Sequence, residues 1–161
     1  MTEPTTDSPT PKAELEFLYH VEVECAAPVT VGQVAGGIRS IIPITGGWFK
    51  GPRLCGKVLP LGADWSMRVP TGGTVDTRYA LQTDDGAVIA LSTRGVAHIS
   101  PEAAAAMREN KPVVSSKFYF RQHLFFETGA AAYDWLNHIV AVAVLMIKPG
   151  GVIAYDAYML K

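Results

Sequence analysis

The 161-residue sequence lacks several features that mark particular protein classes. It has two cysteines, Cys25 and Cys55, which are far apart and show no C-x-x-C spacing, so neither a disulfide scaffold nor a thiol motif is indicated. Charged residues make up only 18% of the chain, the net charge is −1, and Lys and Arg form no block. A nucleic-acid binder needs clustered cations to neutralise phosphates, so we expect no nucleic-acid partner.

Long apolar segments are also missing. The longest apolar run, IVAVAVLMI at 139–147, is about half as long as a membrane-spanning helix requires, and the N-terminal MTEPTTDSPTPK has no apolar signal region. These absences predict a soluble, cytoplasmic protein with no membrane association. We expect residues 1–13, rich in Thr, Pro and Ser, to be a disordered tail, and residues 14–161 to form a single domain.

The sequence does contain a series of β-rich segments separated by turn residues. ELEFLYHVEVEC at 14–25 alternates apolar and polar residues, which is typical of a strand with one wet face. Glycine and proline interrupt the following runs in the manner of bent strands, and DDGA and KPGG mark hairpin turns. One short helix is predicted at 100–110, where Ser100 can cap and Pro101 suits the first turn, and a helical turn is predicted in AAAYDWLNH.

The predicted fold class is all-β. About eight strands with short connections favour an antiparallel, closed barrel over a sandwich, because closure removes the exposed sheet edges. A barrel of this size either holds one small ligand or fills its interior with side chains. The strands at 118–126 and 139–147 are apolar on both faces, so we expect a second cover, supplied by a homo-oligomer that forms through the hairpin at 139–160.

Six short motifs occur in order along the chain: ITGGWFKGPRLCGKVLPLGADW, DTRYALQTDDGA, STRG, YFR, FETG and YDWLN. Together they resemble the domain-of-unknown-function 3237 family of small bacterial and fungal proteins. The resemblance implies a compact barrel of the calycin or allene-oxide-cyclase type, and it implies no agreed activity. The chain departs from the family pattern at Thr93, which precedes Arg94-Gly95 where Asn is usual, and at Gln122, which follows YFR where Thr is usual. Such changes bear on the substrate range.

Polar and aromatic side chains within the strands are the candidate site. Guanidinium groups suit a carboxylate, enolate or phenolate, and a partly buried carboxyl serves as general acid or base. A tyrosine donates to an oxyanion, and tryptophans form apolar walls. Asp64 and Trp65 are expected on a turn at the barrel rim. The candidate catalytic residues are Asp64, Glu127 and Tyr119, and the candidate substrate-binding residues are Trp65, Arg78, Arg94, Arg121, Trp135 and Asn137. The alternative is that Arg and Asp form ordinary pairs on the outside of the barrel.

Other chemistries find little support. The four histidines are scattered without H-x-H or H-E-x-x-H spacing, so no metal is expected. There is no G-x-S-x-G nucleophile elbow, and TGG at 45–47 and 71–73 lacks the context of a phosphate loop. We therefore expect no cofactor.

Three functional hypotheses remain. The first is a cofactor-independent acid–base enzyme of the isomerase, cyclase or lyase type, acting on a small organic acid or a phenol-like substrate. The second is a non-catalytic, lipocalin-like carrier or sensor of a small apolar ligand. The third is a structural oligomer whose barrel interior is filled and holds no ligand.

Overall fold

The computed structural model describes residues 10–113 and 115–161, so most of the predicted tail lies outside the described residues. Within the described residues, nine strands, one α-helix and two 3₁₀ segments follow one another along the chain. The strands are β1 (Leu15–Cys25), β2 (Val29–Val34), β3 (Gly37–Lys50), β4 (Cys55–Val69), β5 (Gly72–Thr83), β6 (Val88–Ile99), β7 (Phe118–Glu127), β8 (Ala141–Lys148) and β9 (Val152–Leu160). The helix α1 spans Pro101–Arg108, and the 3₁₀ segments span Ser115–Lys117 and Ala131–His138.

The strands form one antiparallel sheet that closes on itself. They pair in the order β1-β9-β8-β7-β6-β5-β4-β3-β2, and an additional pairing of β1 with β3 closes a barrel of eight strands with β2 outside it. The long strand β3 makes this possible, because residues 44–50 pair with β1 and residues 37–41 pair with β2. The predicted antiparallel barrel is therefore confirmed, with one strand more than the barrel needs.

Bulges bend β3 and β4, as the glycines and prolines of these segments predict. The pairing register of β4 with β5 shifts between Val58 and Gly62, and Gly62 has a φ of 102°, a value that L-residues rarely adopt. The segment LPLGADWSMR consequently runs inside the 15-residue strand β4 and is not a turn. The expectation that Asp64 and Trp65 sit on a turn at the rim is wrong, because the bulge absorbs the irregularity and the ladder then continues to Val69.

One half of the barrel is packed solid. This closed end carries the β3–β4, β5–β6 and β7–β8 connections, and buried side chains such as Phe49, Leu81 and Ile89 fill it. The 3₁₀ segment Ala131–His138 covers it and inserts Leu136, which is buried. Apolar burial of this kind is the main source of the stability of the domain.

The other half of the barrel, the open end, carries the β4–β5 and β8–β9 turns and helix α1. Helix α1 begins where the sequence predicts, because the Ser100 hydroxyl accepts a hydrogen bond from the Ala103 amide at 3.2 Å. After the helix, the Asn110 side chain accepts a hydrogen bond from the Gly150 amide at 3.0 Å, which ties this segment to the β8–β9 turn. No helix in the described part of the chain is long and apolar enough to cross a membrane.

Candidate functional site

A cavity of about 620 Å³ lies between the packed core and the open end of the barrel. Its walls are mostly apolar and include Ile42, Ile44 and Leu145. Among the described side chains that line it, two are charged: Asp64 in the wall and Arg68 near the end of β4. The volume falls within the range of about 300–1,000 Å³ that is usual for small-molecule sites. The hypothesis of a filled barrel therefore does not describe this interior.

Asp64 points into the cavity from β4 and is held by its neighbours on β5. Its Oδ1 accepts hydrogen bonds from the Thr77 hydroxyl at 2.7 Å and from the Asp76 amide at 3.0 Å. Its Oδ2 accepts no hydrogen bond from any residue that the structure describes. Burial raises the pKa of Asp64 above its ordinary value, although both hydrogen bonds act in the opposite direction. The carboxyl is thus fixed in orientation, keeps its proton to a higher pH than an exposed aspartate does, and is free on one oxygen.

Two further polar side chains of the cavity wall lie on β6 and β7. Asp64 pairs with Thr77, and Thr77 pairs with Thr93, so these three form a row across adjacent strands. Thr93 is 1% exposed, and its hydroxyl has no hydrogen-bond partner among the described residues. Gln122 is 6% exposed and lines the cavity opposite Gly95, one step nearer the open end.

Three tyrosines mark the boundary between the cavity and the packed core. The Tyr155 hydroxyl is hydrogen-bonded to that of Tyr79 and lies 3.4 Å from that of Tyr19. All three are buried, and burial raises the pKa of each phenol well above its ordinary value. These hydroxyls therefore stay protonated and act as neutral hydrogen-bonding groups rather than as bases.

Cys25 also lines the cavity. Burial, and to a smaller extent the neighbouring Asp64 carboxylate, raises the pKa of its thiol to about 11. The thiolate is the nucleophilic form of cysteine, so this side chain is a neutral part of the wall at ordinary pH. In the described part of the chain, no cluster of three or more His, Cys, Asp or Glu residues is arranged to hold a metal ion.

The structure does not bring the predicted site residues together. Of the nine, Asp64 alone lines the cavity, since five of the others lie on the outer face of the barrel, where alternate residues of each strand point away from the interior. These five are Trp65, Arg78, Arg94, Tyr119 and Arg121. Their contacts are those of a surface: Arg94 pairs with Asp76 at 3.8 Å, and the Arg121 guanidinium lies 4.7 Å from the ring centre of Tyr119. The expected arginine cluster inside the barrel is therefore wrong, and the alternative of an outer Arg–Asp pair is confirmed for Arg94.

The remaining three predicted residues belong to the closed end. Glu127 is exposed at the end of β7, next to the β7–β8 connection. Trp135 lies under the guanidinium of Arg53, which is 3.6 Å from the centre of its ring. Asn137 bonds both the amide and the carbonyl of Thr128, each at 2.9 Å, and so fastens the 3₁₀ segment to the barrel. The packed core separates all three from the cavity.

Few of the residues that line the cavity could be recognised from sequence patterns. The lining residues on β5 and β6 are adjacent to the arginines that were predicted as site residues. Thr77 and Tyr79 flank Arg78, and Thr93 precedes Arg94. A prediction shifted by one residue along each strand would therefore have named residues that face the cavity. Thr93 and Gln122 were distinguished only as departures from the family pattern.

Comparison with known proteins gives a consistent assignment. The family described as "Protein of unknown function (DUF3237)" matches residues 13–160. A UPF0311 protein of Rhodopseudomonas palustris is 35% identical over 128 residues, which are 79% of this chain and 84% of that protein. A hydroalkoxylation enzyme of Penicillium herquei is 29% identical over 139 residues, 83% of this chain and 74% of that enzyme.

A solved structure shows the same fold. The crystal structure of a β-barrel-like protein from Acinetobacter baumannii is 42% identical, with a TM-score of 0.81, and the match covers 94% of this chain and 98% of that one. The family match, the relatives and the barrel agree, and the chain belongs to the DUF3237 family.

Proposed function

We propose that the protein is a cofactor-independent acid–base enzyme that closes a ring by adding a hydroxyl group of its substrate across a carbon–carbon double bond. The observation that carries this proposal is Asp64. This carboxyl faces a largely apolar cavity, is fixed through Oδ1 by Thr77 and the Asp76 amide, and has a raised pKa and a free Oδ2. A general acid needs a proton that it holds near the working pH and an oriented oxygen from which to deliver it.

In the proposed reaction Asp64 transfers its proton to one carbon of the double bond. The hydroxyl oxygen of the substrate bonds to the other carbon, and the hydroxyl proton passes to the Asp64 carboxylate. One C=C π bond and one O–H bond are exchanged for one C–H bond and one C–O bond. The reaction is an isomerisation, so it consumes neither an electron acceptor nor a second reactant, and Asp64 ends protonated as it began.

The charge of the cavity favours a neutral, phenol-like substrate over an organic acid. A buried carboxylate of the ligand would need a cation to offset its desolvation, and Arg68, toward the open end of β4, is the one cation among the described lining residues. The apolar walls suit a flat ring instead. The name of the Penicillium herquei relative, a hydroalkoxylation enzyme, supports the same reaction class.

A carrier of a small apolar ligand is the second candidate, and the apolar lining favours it. The two proposals differ at Asp64. A carrier for an apolar ligand gains nothing from a half-buried carboxyl whose desolvation opposes ionisation. Turnover therefore separates them.

The test is cyclisation of ortho-prenylphenol, a phenol with an alkene side chain that can close to a cyclic ether of the same mass. Product is followed by chromatography and proton NMR. In deuterium oxide one deuterium is expected at the alkene carbon that Asp64 protonates. Asp64→Asn keeps the shape of the side chain and removes its proton, and we expect it to lose about 100-fold or more in rate, the usual contribution of a general acid.

The matched control is Asp76→Asn. The Asp76 side chain lies on the outer face, 3.8 Å from Arg94, and only its backbone amide is hydrogen-bonded to Asp64. Its charge adds to the raised pKa of Asp64 much less than burial does, so activity should fall far less than in Asp64→Asn. A wild-type protein that binds the phenol without cyclising it would refute the enzyme and leave the carrier. Full activity of Asp64→Asn would refute the role of Asp64.

A further inference from the structure

Two polar side chains of the cavity wall make no hydrogen bond to any described residue. Thr93 is 1% exposed and its hydroxyl oxygen is buried, whereas Gln122 is 6% exposed as a whole and its amide is not fully buried. Buried polar groups in native proteins are nearly always hydrogen-bonded, because an unpaired one has lost its water and gained nothing. The penalty applies to the Thr93 hydroxyl, and the Gln122 amide stands beside it with its hydrogen-bonding groups unused; since both side chains line the cavity, we expect a molecule that enters it to be their partner.

The two side chains are close enough to share one ligand atom. Thr93 pairs with Leu124 on β7, and Gln122 pairs with Gly95 on β6, so they are diagonal neighbours on the inner face of the same strand pair. Such neighbours are about 7–8 Å apart at the backbone, and a ligand group lying between them can reach both. Gly95 has no side chain to displace that of Gln122, whereas a Cβ there would lie 2.7 Å from the Cβ of Gln122.

The chemistry of the pair selects a hydrogen-bond acceptor. The threonine hydroxyl and the glutamine NH₂ group can both donate, and a carbonyl oxygen can accept both bonds through its two lone pairs. A ligand hydroxyl could also accept both bonds, but its own proton would then need a further acceptor. No charged side chain neighbours either residue across the strands, where Leu124, Ala143 and Thr77 stand opposite, so an anionic oxygen would lack a counter-charge.

We propose that Thr93 and Gln122 form a carbonyl-binding subsite, and that the substrate is a neutral aromatic ketone that also carries the reacting hydroxyl and alkene. This subsite rests on the proposed function, because the same cavity must hold the substrate. Thr93, Thr77 and Asp64 are consecutive cross-strand neighbours, each about 5 Å from the next. The two steps separate Thr93 from Asp64 by about 10 Å at the backbone, so a ketone with two fused rings anchored at Thr93 can reach the free Oδ2 of Asp64.

Binding of three naphthalenes of similar shape tests the subsite. They are methyl naphthyl ketone, isopropenylnaphthalene, which replaces the oxygen by CH₂, and naphthoate, which is anionic. By isothermal titration calorimetry we expect the ketone to bind most tightly. Thr93→Val and Gln122→Met should each weaken ketone binding about fivefold, the loss expected for one net hydrogen bond, and leave isopropenylnaphthalene unchanged.

Stability provides a second readout with a matched control. Thr93→Val removes a hydroxyl that has no partner, so its Tm should rise by about 2–4 °C. Thr83 is equally buried, but its hydroxyl bonds the Asp85 carboxylate and the Ala87 carbonyl. Thr83→Val should therefore lower the Tm and leave ketone affinity unchanged.

The subsite would be overturned if the wild type bound the ketone and isopropenylnaphthalene with equal affinity, or if none of the three probes bound. It would also be overturned if Thr93→Val bound the ketone as tightly as the wild type does. These outcomes are distinguishable from failure of the proposed function. Cyclisation that depends on Asp64 can persist without a ketone preference, and a ketone preference can persist in a protein that never cyclises a phenol.

Discussion

The substitution Gly95→Ala provides a direct test of how the wall of the cavity is built. Gly95 lies on β6 opposite Gln122 of β7. A Cβ at this position would lie 2.5 Å from the carbonyl oxygen of Arg121 and 2.7 Å from the Cβ of Gln122. Ordinary non-bonded carbon contacts are near 3.5–4.0 Å, so about 1 Å of movement is needed. Because the first obstacle is backbone, β6 and β7 must separate.

The size of the effect follows from this movement. Forcing one extra methyl group into a packed region costs about 1–3 kcal/mol. For a domain of this length each kcal/mol lowers the Tm by about 2–4 °C, so Gly95→Ala should lower it by about 2–12 °C. The new methyl group also displaces the side chain of Gln122, so the affinity for methyl naphthyl ketone should fall with the Tm.

Thermal unfolding by circular dichroism measures the first effect, and Gly129→Ala is the matched control. A Cβ at Gly129 meets nothing within 4 Å, and its φ lies outside the left-handed region, so the alanine should stabilise the protein by about 0.4–1 kcal/mol through the unfolded chain. If Gly95→Ala melts within a degree of the wild type, the close approach of β6 and β7 at Gln122 is wrong.

Three other predictions concern charge, the tyrosines and assembly. Burial raises the pKa of Asp64, so the folded protein keeps this proton over a pH range in which the unfolded chain has lost it. The contribution of Asp64 to the free energy of unfolding therefore falls as the pH rises through that range. Asp64→Asn cannot ionise, so its Tm relative to wild type should improve as the pH rises above the ordinary aspartate pKa of about 4. A difference that stays constant would contradict the buried carboxyl. Tyr155→Phe leaves the hydroxyls of Tyr19 and Tyr79 without their shared partner, so the free energy of unfolding measured in urea should fall by about 1–3 kcal/mol. Tyr19→Phe should cost less, and equal losses for the two variants would argue against a central role of Tyr155. We also propose that the protein forms a homo-oligomer through the hairpin at 139–160, where Met146 on β8 is 43% exposed. Light scattering should show that Met146→Lys is a monomer. A wild-type protein that is monomeric at micromolar concentration would contradict the proposal.

The sequence predicted the fold well because its strongest signals are local. Alternation in 14–25, the turn residues of DDGA and KPGG, and the cap at Ser100 each report on neighbouring residues, and the structure has a strand, two hairpins and a helix there. The extra strand β2 could not be predicted in the same way. It exists because β3 is long enough to pair with β1 at one end and with β2 at the other, which is a property of pairing register and not of the segment itself.

The site was harder to predict because adjacent residues of a strand face opposite sides of the sheet. Arg78 and Arg94 were predicted as site residues because of their charge. Their immediate neighbours Thr77 and Thr93 are the residues that face the cavity. These threonines carry no charge and have no characteristic spacing. The inward set becomes recognisable only when the register across the whole barrel is known, since a shift of one residue exchanges the two faces.

The outward position of Arg78 and Arg94 keeps their guanidinium groups away from the cavity that Asp64 faces, as the proposed acid role of Asp64 requires. A guanidinium in contact with the Asp64 carboxylate, unlike that of Arg68 toward the open end, would pair with it and lower its pKa, which would oppose the proposed proton transfer. In the observed barrel the apolar walls raise the pKa of Asp64 and, by the same desolvation, disfavour an anionic ligand. In the proposed function, a protonated Asp64 and a neutral substrate would therefore both follow from the same apolar interior. A protein in which an arginine is introduced at Ile42, the cross-strand neighbour of Asp64, should lose proton transfer even though its cavity has gained affinity for anions such as naphthoate.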